Sequence, residues 1–290
     1  SLGLLLMFFT CFRVVSKTVR PLSDLADQAK NIADGHFDAV LLQDNRPDEI
    51  GVLSRSFANM RTSLVSYIDE LTRTTAANTR IEGELQIARN IQKGMLPSVF
   101  PPFPDRGDVD LYASMTPAKE VGGDLYDFFI QGSSLYFCIG DVSGKGVPAS
   151  LIMAVTRNLF RVMGQQGLPP DEIAGRLNEI LCEGNEQMMF VTMFIGRVNL
   201  DTGMMDFCNC GHNPPVLISP DGKAGFLESL ANTPLGVQLG FWYEEEIIKD
   251  FRGTTIFLYT DGLNEAENKD FEQFGNDRLL SVLAENPFLD

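Results

Sequence analysis

Three aspartates follow apolar, strand-like runs in this chain and stand beside glycine or a turn: Asp124, Asp141 and Asp261. A carboxylate in such a position can leave a sheet and point into a cleft. The three lie too far apart along the chain for one loop to gather them. A folded sheet could do so, and a cluster of hard oxygen ligands suits Mg2+ or Mn2+ rather than zinc. The alternative is three independent turns, because Asp-Gly is common turn chemistry.

Four motifs around these aspartates resemble one phosphatase family. In chain order they are Val-Gly-Gly-Asp-Leu-Tyr-Asp-Phe (121–128), Gly-Asp-Val-Ser-Gly-Lys-Gly-Val-Pro-Ala-Ser (140–150), Gly-His-Asn-Pro-Pro (211–215) and Tyr-Thr-Asp-Gly (259–262). Together they are similar to the bacterial PPM-type serine/threonine phosphatases of the stage II sporulation protein E and sigma-B regulator group. The resemblance runs from about Glu84 to the C-terminus. Diguanylate cyclases share Gly-Gly-Asp, but Leu125 stands where their Gly-Gly-Asp-Glu-Phe pattern has glutamate.

The resemblance implies hydrolysis of a phosphate ester with two divalent ions, Mn2+ or Mg2+. Two such ions polarise the phosphoryl oxygens and make hydroxide available near neutral pH. Carried over from the family, Asp124 binds one ion, Asp261 binds the other and Asp141 bridges them, so these are the predicted catalytic residues. The backbone carbonyl of Val142 adds a ligand. The implied substrate is a phosphoserine or phosphothreonine protein, such as a STAS-type anti-sigma-factor antagonist.

Three further polar residues in these motifs are not predicted to bind a metal ion. Asp127 would point to the opposite face of an extended segment from Asp124, so a structural role is expected for it. Lys145, between two glycines, could contact substrate phosphate or be a solvated turn lysine. His212 could act as a general acid, but hydrogen bonding that shapes its loop is the expected role.

One departure from the family pattern concerns the C-terminus. Family members end with an Asp-Asp-hydrophobic-Thr segment on a last strand, which supplies a further metal-binding aspartate. No such segment follows residues 274–283, and Asp277 in an amphipathic helix is a poor substitute. We therefore expect a truncated domain that lacks one carboxylate and one strand. The rival hypothesis is a degenerate phosphatase-fold module that signals by binding a partner. A nucleotide cyclase would need a triphosphate-binding loop, which we do not find.

Composition limits the remaining classes of function. The 290 residues include 44% hydrophobic residues, which is enough for a sizeable core and about two domains. Acidic residues number 39 against 23 basic ones, and the net charge of −16 argues against nucleic-acid binding. Five cysteines show no disulfide spacing and fit a reducing compartment. Cys208 and Cys210 alternate as strand residues would, so buried thiols are expected rather than a metal site with His212.

The N-terminal residues predict a membrane anchor. Leu2 to Phe12 is largely apolar and covers about half a hydrocarbon core. Arg13, Lys17 and Arg20 follow, with no acidic residue before Asp24. Positive charge on this flank predicts a cytoplasmic location for everything downstream. We expect residues 1–16 to be the C-terminal part of a transmembrane helix in the inner membrane, with an outer half and any sensor domain missing.

Residues 17–70 read as helix, connector and helix. Pro21 suits the first turn of a helix that Gly35 ends, and Pro47-Asp48-Glu49 opens the second helix with acids at its positive end. The connector includes Phe37, Val40 and Leu41. This arrangement after a membrane span resembles a HAMP signal-relay module; the alternative is an ordinary helical hairpin.

A heptad seam starts in the second helix and predicts a parallel homodimer. It comprises Ile50, Leu53, Phe57, Met60, Leu64, Tyr67 and Leu71. Two identical chains would bury such a seam against each other. The seam continues through a predicted coiled-coil linker helix at residues 71–97. Thr74 and Asn78 weaken it there, either as a switch or as a plain spacer.

Residues 98–290 form the predicted phosphatase domain. The alternation from Val109 to Met115 begins its strands, and further strands are expected at 134–139, 190–200, 204–208, 216–219 and 254–259. Helices are expected at 148–163, 170–183 and 274–283. The first of these places Leu151, Ile152, Val155, Leu159 and Val162 on one face. This mixture predicts an α+β fold of two antiparallel sheets with helices outside. The family resemblance implies the same four-layer β-sandwich flanked by helices.

Overall fold

The computed structural model describes residues 2–37, 46–117, 121–230 and 232–285. The chain divides into two compact units, residues 1–83 and 84–290. The first unit contains helix α1 (Leu2–Ala33) and the beginning of helix α2 (Glu49–Met95). The predicted connector residues Val40 and Leu41 lie outside the described residues.

Helix α1 differs from the expectation that a new helix starts at Pro21. Pro21 lies inside α1, so the apolar N-terminal run and the following amphipathic segment form one helix. Proline removes one backbone hydrogen bond, and here the helical turns on both sides continue across it. Within the described ranges no helix combines the length and the apolar character needed to cross a membrane.

Helix α2 runs without a break from Glu49 to Met95, through the polar seam positions Thr74 and Asn78. Most side chains of the predicted seam are open to solvent in the single chain. Leu53 is 48% exposed, Met60 54% and Leu71 65%. Most of this apolar stripe is therefore left uncovered by the described residues of the chain.

The second unit contains two antiparallel sheets. The five-stranded sheet has the order β1-β2-β3-β4-β7, and the three-stranded sheet has the order β6-β5-β8. The strands are β1 (Leu125–Gln131), β2 (Ser134–Val142), β3 (Val191–Asn199), β4 (Met205–Cys210), β5 (Val216–Ile218), β6 (Ala224–Phe226), β7 (Glu246–Ile248) and β8 (Thr255–Phe257). The helices are α3 (Val147–Gln165), α4 (Pro170–Cys182), α5 (Asp261–Asn264) and α6 (Asn276–Glu285).

The core of this unit is built in four layers. Strand β2 contributes to two clusters because its side chains alternate between the two faces of the sheet. Tyr136 and Cys138 pack on the side of α3 and α4, whereas Leu135 and Phe137 pack between the two sheets. A third cluster lies between the small sheet and α6. The predicted α+β class is confirmed.

The alternating segment from Val109 to Met115 is not a strand. It makes no ladder with any strand among the described residues. Its apolar residues Val109, Leu111 and Ala113 still pack against the cluster between the sheets. Alternation therefore identified the buried side of an extended segment, but extended backbone becomes a strand only when a neighbouring strand is free to pair.

Helix α3 turns a different face to the sheet from the predicted one. Leu151 and Val162 are 62% and 51% exposed, whereas Met153 and Phe160 are fully buried. The reason is electrostatic. Arg157 and Arg161 lie beside the buried stripe and form ion pairs with the buried carboxylate of Asp127 on β1. A buried charge needs its partners, so this interaction decides which apolar stripe faces inward.

Candidate active site

The hairpin of β1 and β2 brings the first two predicted aspartates together. Leu125 is the register partner of Gly140, so the preceding residue Asp124 lies opposite Asp141. Both side chains belong to the face between the sheets, because Phe128 on β1 and Phe137 on β2 point to that face. Asp141 lies within β2, one residue before its end, rather than after the strand.

The carboxyl group of Asp141 has a perturbed pKa. Burial raises its pKa to about 7, and the hydrogen bond and negative charge of Asp124 add to the increase. The negative charge of Asp261 raises the same pKa further. All three predicted aspartates therefore interact electrostatically around Asp141.

Asp261 reaches this edge from the three-stranded sheet. Strand β8 ends at Phe257, and Asp261 begins the single-turn helix α5. The residue before it, Thr260, donates a hydrogen bond from Oγ1 to Oδ2 of Asp124 at 2.9 Å. This contact joins the ends of the two sheets.

A cavity of about 360 Å³ opens where the sheets meet. Its lining comprises Asp141, Val142, Ser143, Gly144, Phe190, Thr192, His212, Asn213 and Asp261. Asp124 is not part of the lining; it hydrogen-bonds the lining residue Asp141 and accepts a hydrogen bond from Thr260, the neighbour of the lining residue Asp261. A second cavity, of about 450 Å³ at residues 272–278, contains none of the predicted site residues.

His212 is a buried link between the two sheets. Its Nδ1 lies 3.1 Å from Oγ1 of Thr192, the register partner of Asp141 on β3. Its Nε2 lies 3.1 Å from the carbonyl oxygen of Tyr259, two residues before Asp261. Burial lowers the pKa of His212 to about 4, so the ring is neutral at physiological pH. Its backbone is held by Asn209, whose amide side chain bonds both the N–H and the carbonyl of His212.

The other predicted polar residues lie apart from the cavity. Asp127 faces α3, where Nε of Arg161 donates a hydrogen bond to it at 2.8 Å and Nε of Arg157 lies at 2.9 Å. Lys145 is exposed in the loop between β2 and α3 and is not in the cavity lining.

The oxygen donors at this site suit a hard divalent cation. Their side chains, however, interact two at a time, as Asp124 does with Asp141 and with Thr260. Carboxylates and a backbone carbonyl are the ligands that Mg2+ and Mn2+ prefer. Burial and the neighbouring negative charges raise the pKa of Asp141, and a bound cation would offset both effects. Among the described residues, no three His, Cys, Asp or Glu side chains form a group that could hold a metal ion. Cys208 and Cys210 are buried thiols.

Two residues of this site escaped sequence reasoning. Thr192 joins His212 to the strand of Asp141, and no motif marks it. Gln92 on α2 hydrogen-bonds the backbone of Gly122, in the loop before Asp124. The sequence signal for Gln92 was its heptad position: Leu71, Asn78 and Leu85 precede it at seven-residue spacing, so the continued seam predicts an apolar side chain where glutamine stands.

Comparison with known proteins identifies the two units. A family described as "Stage II sporulation protein E (SpoIIE)" matches residues 131–290, and the HAMP domain matches residues 13–66. Protein IcfG of Synechocystis is 28% identical over 96% of this chain and 47% of its own length. Phosphoserine phosphatase RsbU of Bacillus subtilis is 28% identical over 65% of this chain and 56% of its own. The chain thus spans about half the length of these curated relatives.

Solved structures show the same fold in the second unit. The SiaA-PP2C domain of Pseudomonas aeruginosa superimposes with a TM-score of 0.60 at 22% identity, covering 73% of this chain and 84% of that one. The RsbU and RsbW domains of a Mycobacterium tuberculosis protein give a TM-score of 0.52 at 26% identity, covering 59% and 47%. The chain therefore belongs to the stage II sporulation protein E family and carries a HAMP domain ahead of the family's PP2C-like fold.

Proposed function

We propose that this chain is a metal-dependent protein phosphatase that hydrolyses phosphoserine or phosphothreonine esters. The observation that carries the proposal is the electrostatic coupling of Asp141 to Asp124 and Asp261 beside one cavity. Burial and the neighbouring charges of Asp124 and Asp261 raise the pKa of Asp141, and a fold tolerates such an unfavourable carboxylate where a function needs it. The named activity of the relative RsbU, a phosphoserine phosphatase, agrees with this chemistry.

Two divalent ions, Mn2+ or Mg2+, would polarise the phosphoryl group and activate water when bound. Asp124 and Asp261 would each hold one ion, and the carbonyl of Val142 would add an oxygen. Asp141 is the candidate for the bridging position, as the family resemblance implies, and its carboxyl group interacts with both Asp124 and Asp261. Asp141 must lose its proton to bind a cation, so ion binding should release a proton near pH 7.

The proposed substrate is a phosphorylated protein, of the STAS-type anti-sigma-factor antagonist class. The similarity to RsbU and to a protein with RsbU and RsbW domains supports this class. Lys145 is the candidate contact for substrate phosphate, because it is exposed in the loop that starts at the lining residue Ser143. His212 is proposed to shape the loop rather than to transfer protons, since its ring is buried and both nitrogens are engaged.

We further propose that the active form is a membrane-linked homodimer with the phosphatase unit in the cytoplasm. The exposed seam of α2 supports the dimer, because an apolar stripe of this length is normally buried against another helix. The HAMP match and the exposed apolar side chains at the start of α1, among them Leu4, Phe8 and Phe9, support the membrane link.

A second candidate function is a degenerate phosphatase-fold module that acts by binding a partner. The observation that favours it is the pairwise arrangement of the aspartates, which does not form a three-residue metal group within the described part of the chain. This candidate predicts partner binding without Mn2+ binding or phosphate release.

The two candidates are separated by replacing the proposed bridge. In Asp141→Asn, one negative charge is removed from both ion positions, so Mn2+ affinity should fall with it. Mn2+-dependent phosphate release from a phosphoserine protein should drop by about 100-fold or more. The control is Asp201→Asn, an exposed aspartate in the turn between β3 and β4. Full activity in Asp141→Asn would exclude the two-metal mechanism. A wild-type chain that neither binds Mn2+ nor releases phosphate would support the degenerate module.

A further inference from the structure

Gln92 is a buried polar residue near the C-terminal end of α2. Its side chain hydrogen-bonds the backbone of Gly122, in the loop that leads to Asp124. Nε2 of Gln92 donates to the carbonyl oxygen of Gly122 at 2.7 Å, and Oε1 accepts from the N–H of Gly122 at 3.2 Å. Gln92 is only 5% exposed. Both polar atoms of a buried carboxamide are thus used on the backbone of a single glycine.

The position of Gln92 on its helix makes this arrangement informative. Leu85, Ala88, Gln92 and Leu96 follow one another at helical spacing, and Leu96 is buried in the core beside α3 and α4. An apolar side chain would suit such a stripe. A buried carboxamide is tolerated only when its hydrogen bonds are satisfied, so the Gly122 backbone is what stabilises glutamine there.

The contact also satisfies the backbone N–H and carbonyl groups of Gly122. The loop before β1 has no ladder partner at Gly122, and the two bonds from Gln92 are the hydrogen bonds recorded for it within the described residues. Unpaired backbone groups in a buried loop are costly. Gln92 therefore fixes this loop as a neighbouring strand would.

Gly122 is two residues before Asp124, and the residue between them, Gly123, packs closely against β2. A Cβ atom at Gly123 would lie 2.8 Å from the carbonyl oxygen of Val142 and 3.3 Å from Oδ1 of Asp141. The segment is thus held by α2 on one side and by β2 on the other. The next residue, Asp124, interacts with Asp141 and accepts the hydrogen bond of Thr260.

We propose that Gln92 is a positioning residue for Asp124, so that the placement of α2 sets the affinity of the site for divalent cations. The identity of the ligand as a divalent cation rests on the proposed function. Displacing α2 at Gln92 would release Gly122 and with it the restraint on the Asp124 carboxylate. Helix α2 would thereby regulate a site to which it contributes no ligand.

The test compares Gln92→Met with wild type in the full chain. Methionine matches the length of glutamine and fills the same space, but it forms neither hydrogen bond. The matched control is Gln86→Met, on the exposed side of the same helix, where Nε2 donates a hydrogen bond to Oδ1 of Asn90. Three quantities are measured: amide hydrogen exchange at 122–124 without metal, Mn2+ affinity by titration calorimetry, and stability to urea.

In Gln92→Met we expect the Gly122 amide to exchange about fivefold faster or more, in line with a lost hydrogen bond. Mn2+ affinity should fall by about tenfold or more, as when a group that orients a metal ligand is removed. Gln86→Met should match wild type in both. If Gln92→Met fails to fold, Gln92→Asn replaces it, because its carboxamide is one methylene too short, and the same outcomes apply.

Mn2+ affinity equal to wild type in a folded Gln92 variant would overturn the inference, since glutamine would then serve stability alone. An equal loss of affinity in Gln86→Met would overturn it as well. Absence of Mn2+ binding by the wild-type chain would overturn the proposed function, and this inference with it.

Discussion

Acid should destabilise the 84–290 unit through one imidazole, that of His212. The carbonyl of Tyr259 can only accept a hydrogen bond, so Nε2 carries the ring proton, and Nδ1 accepts from the hydroxyl of Thr192. A second proton on Nδ1 would place a charge in a buried site and would remove the bond from Thr192. Burial accordingly lowers the pKa of His212 from 6.5 to about 4.

The magnitude follows from this pKa difference between the folded and unfolded chain. Between pH 6.5 and about 4 the unfolded chain binds a proton at His212 and the folded chain does not. Stability therefore rises with pH in this window, by about 1.4 kcal/mol per pH unit. The contribution is complete above pH 6.5, and about 3 kcal/mol of it is lost by pH 4.

The assay is urea unfolding at pH steps from 7.5 to 4.5, followed by near-ultraviolet circular dichroism of the buried tyrosines. Carboxylates also titrate here, so the informative quantity is the difference between wild type and His212→Gln. This difference should shrink by about 1.4 kcal/mol per pH unit below pH 6.5. His36→Gln is the control, because His36 is the other histidine of the chain and is exposed. A difference that stays constant with pH would refute the reasoning.

Two further substitutions test the packing of each unit. Asp127→Asn leaves two arginines facing a buried neutral group, and urea unfolding should show a loss of about 3 kcal/mol; a loss below about 1 kcal/mol would contradict the role of this ion pair. Leu53→Lys combined with Met60→Lys should give monomers in sedimentation experiments, whereas the off-seam control Asn59→Lys with Ser66→Lys should keep the oligomeric state of wild type. A wild-type chain that is monomeric at micromolar concentration would argue against the seam as a dimer interface.

The parts of the fold that local patterns predict are those whose contacts are also local. The run from Ser134 to Ile139 predicted a strand, and β2 extends it to Val142. The helix predicted at 148–163 is present as Val147–Gln165. Apolar periodicity and flanking glycines carry this information within a dozen residues. Register then follows from the tight hairpin, which is why Asp124 lies opposite Asp141.

The parts that sequence reasoning missed depend on partners far away in the chain. The inward face of α3 is decided by Asp127, some thirty positions earlier, because Arg157 and Arg161 must reach it. The segment at 109–115 has strand-like alternation, but pairing depends on a free sheet edge, which local sequence does not encode. Thr192 and Gln92 become site residues only through contacts across the sheet and from α2.

Two glycines near the site, Gly123 and Gly144, differ in the substitutions that the structure tolerates. Gly144 has a positive φ of 87° with room for a Cβ atom, so any replacement is strained by the backbone alone, and asparagine, which tolerates this left-handed region best, is the least strained one. Gly123 has no such freedom, because any Cβ would run into the carbonyl oxygen of Val142. Among related sequences we therefore expect glycine to be kept at position 123 and to be replaced more often at position 144. A relative with alanine at 123 would need a shifted β2, and the position of the Asp141 carboxylate would change along with it.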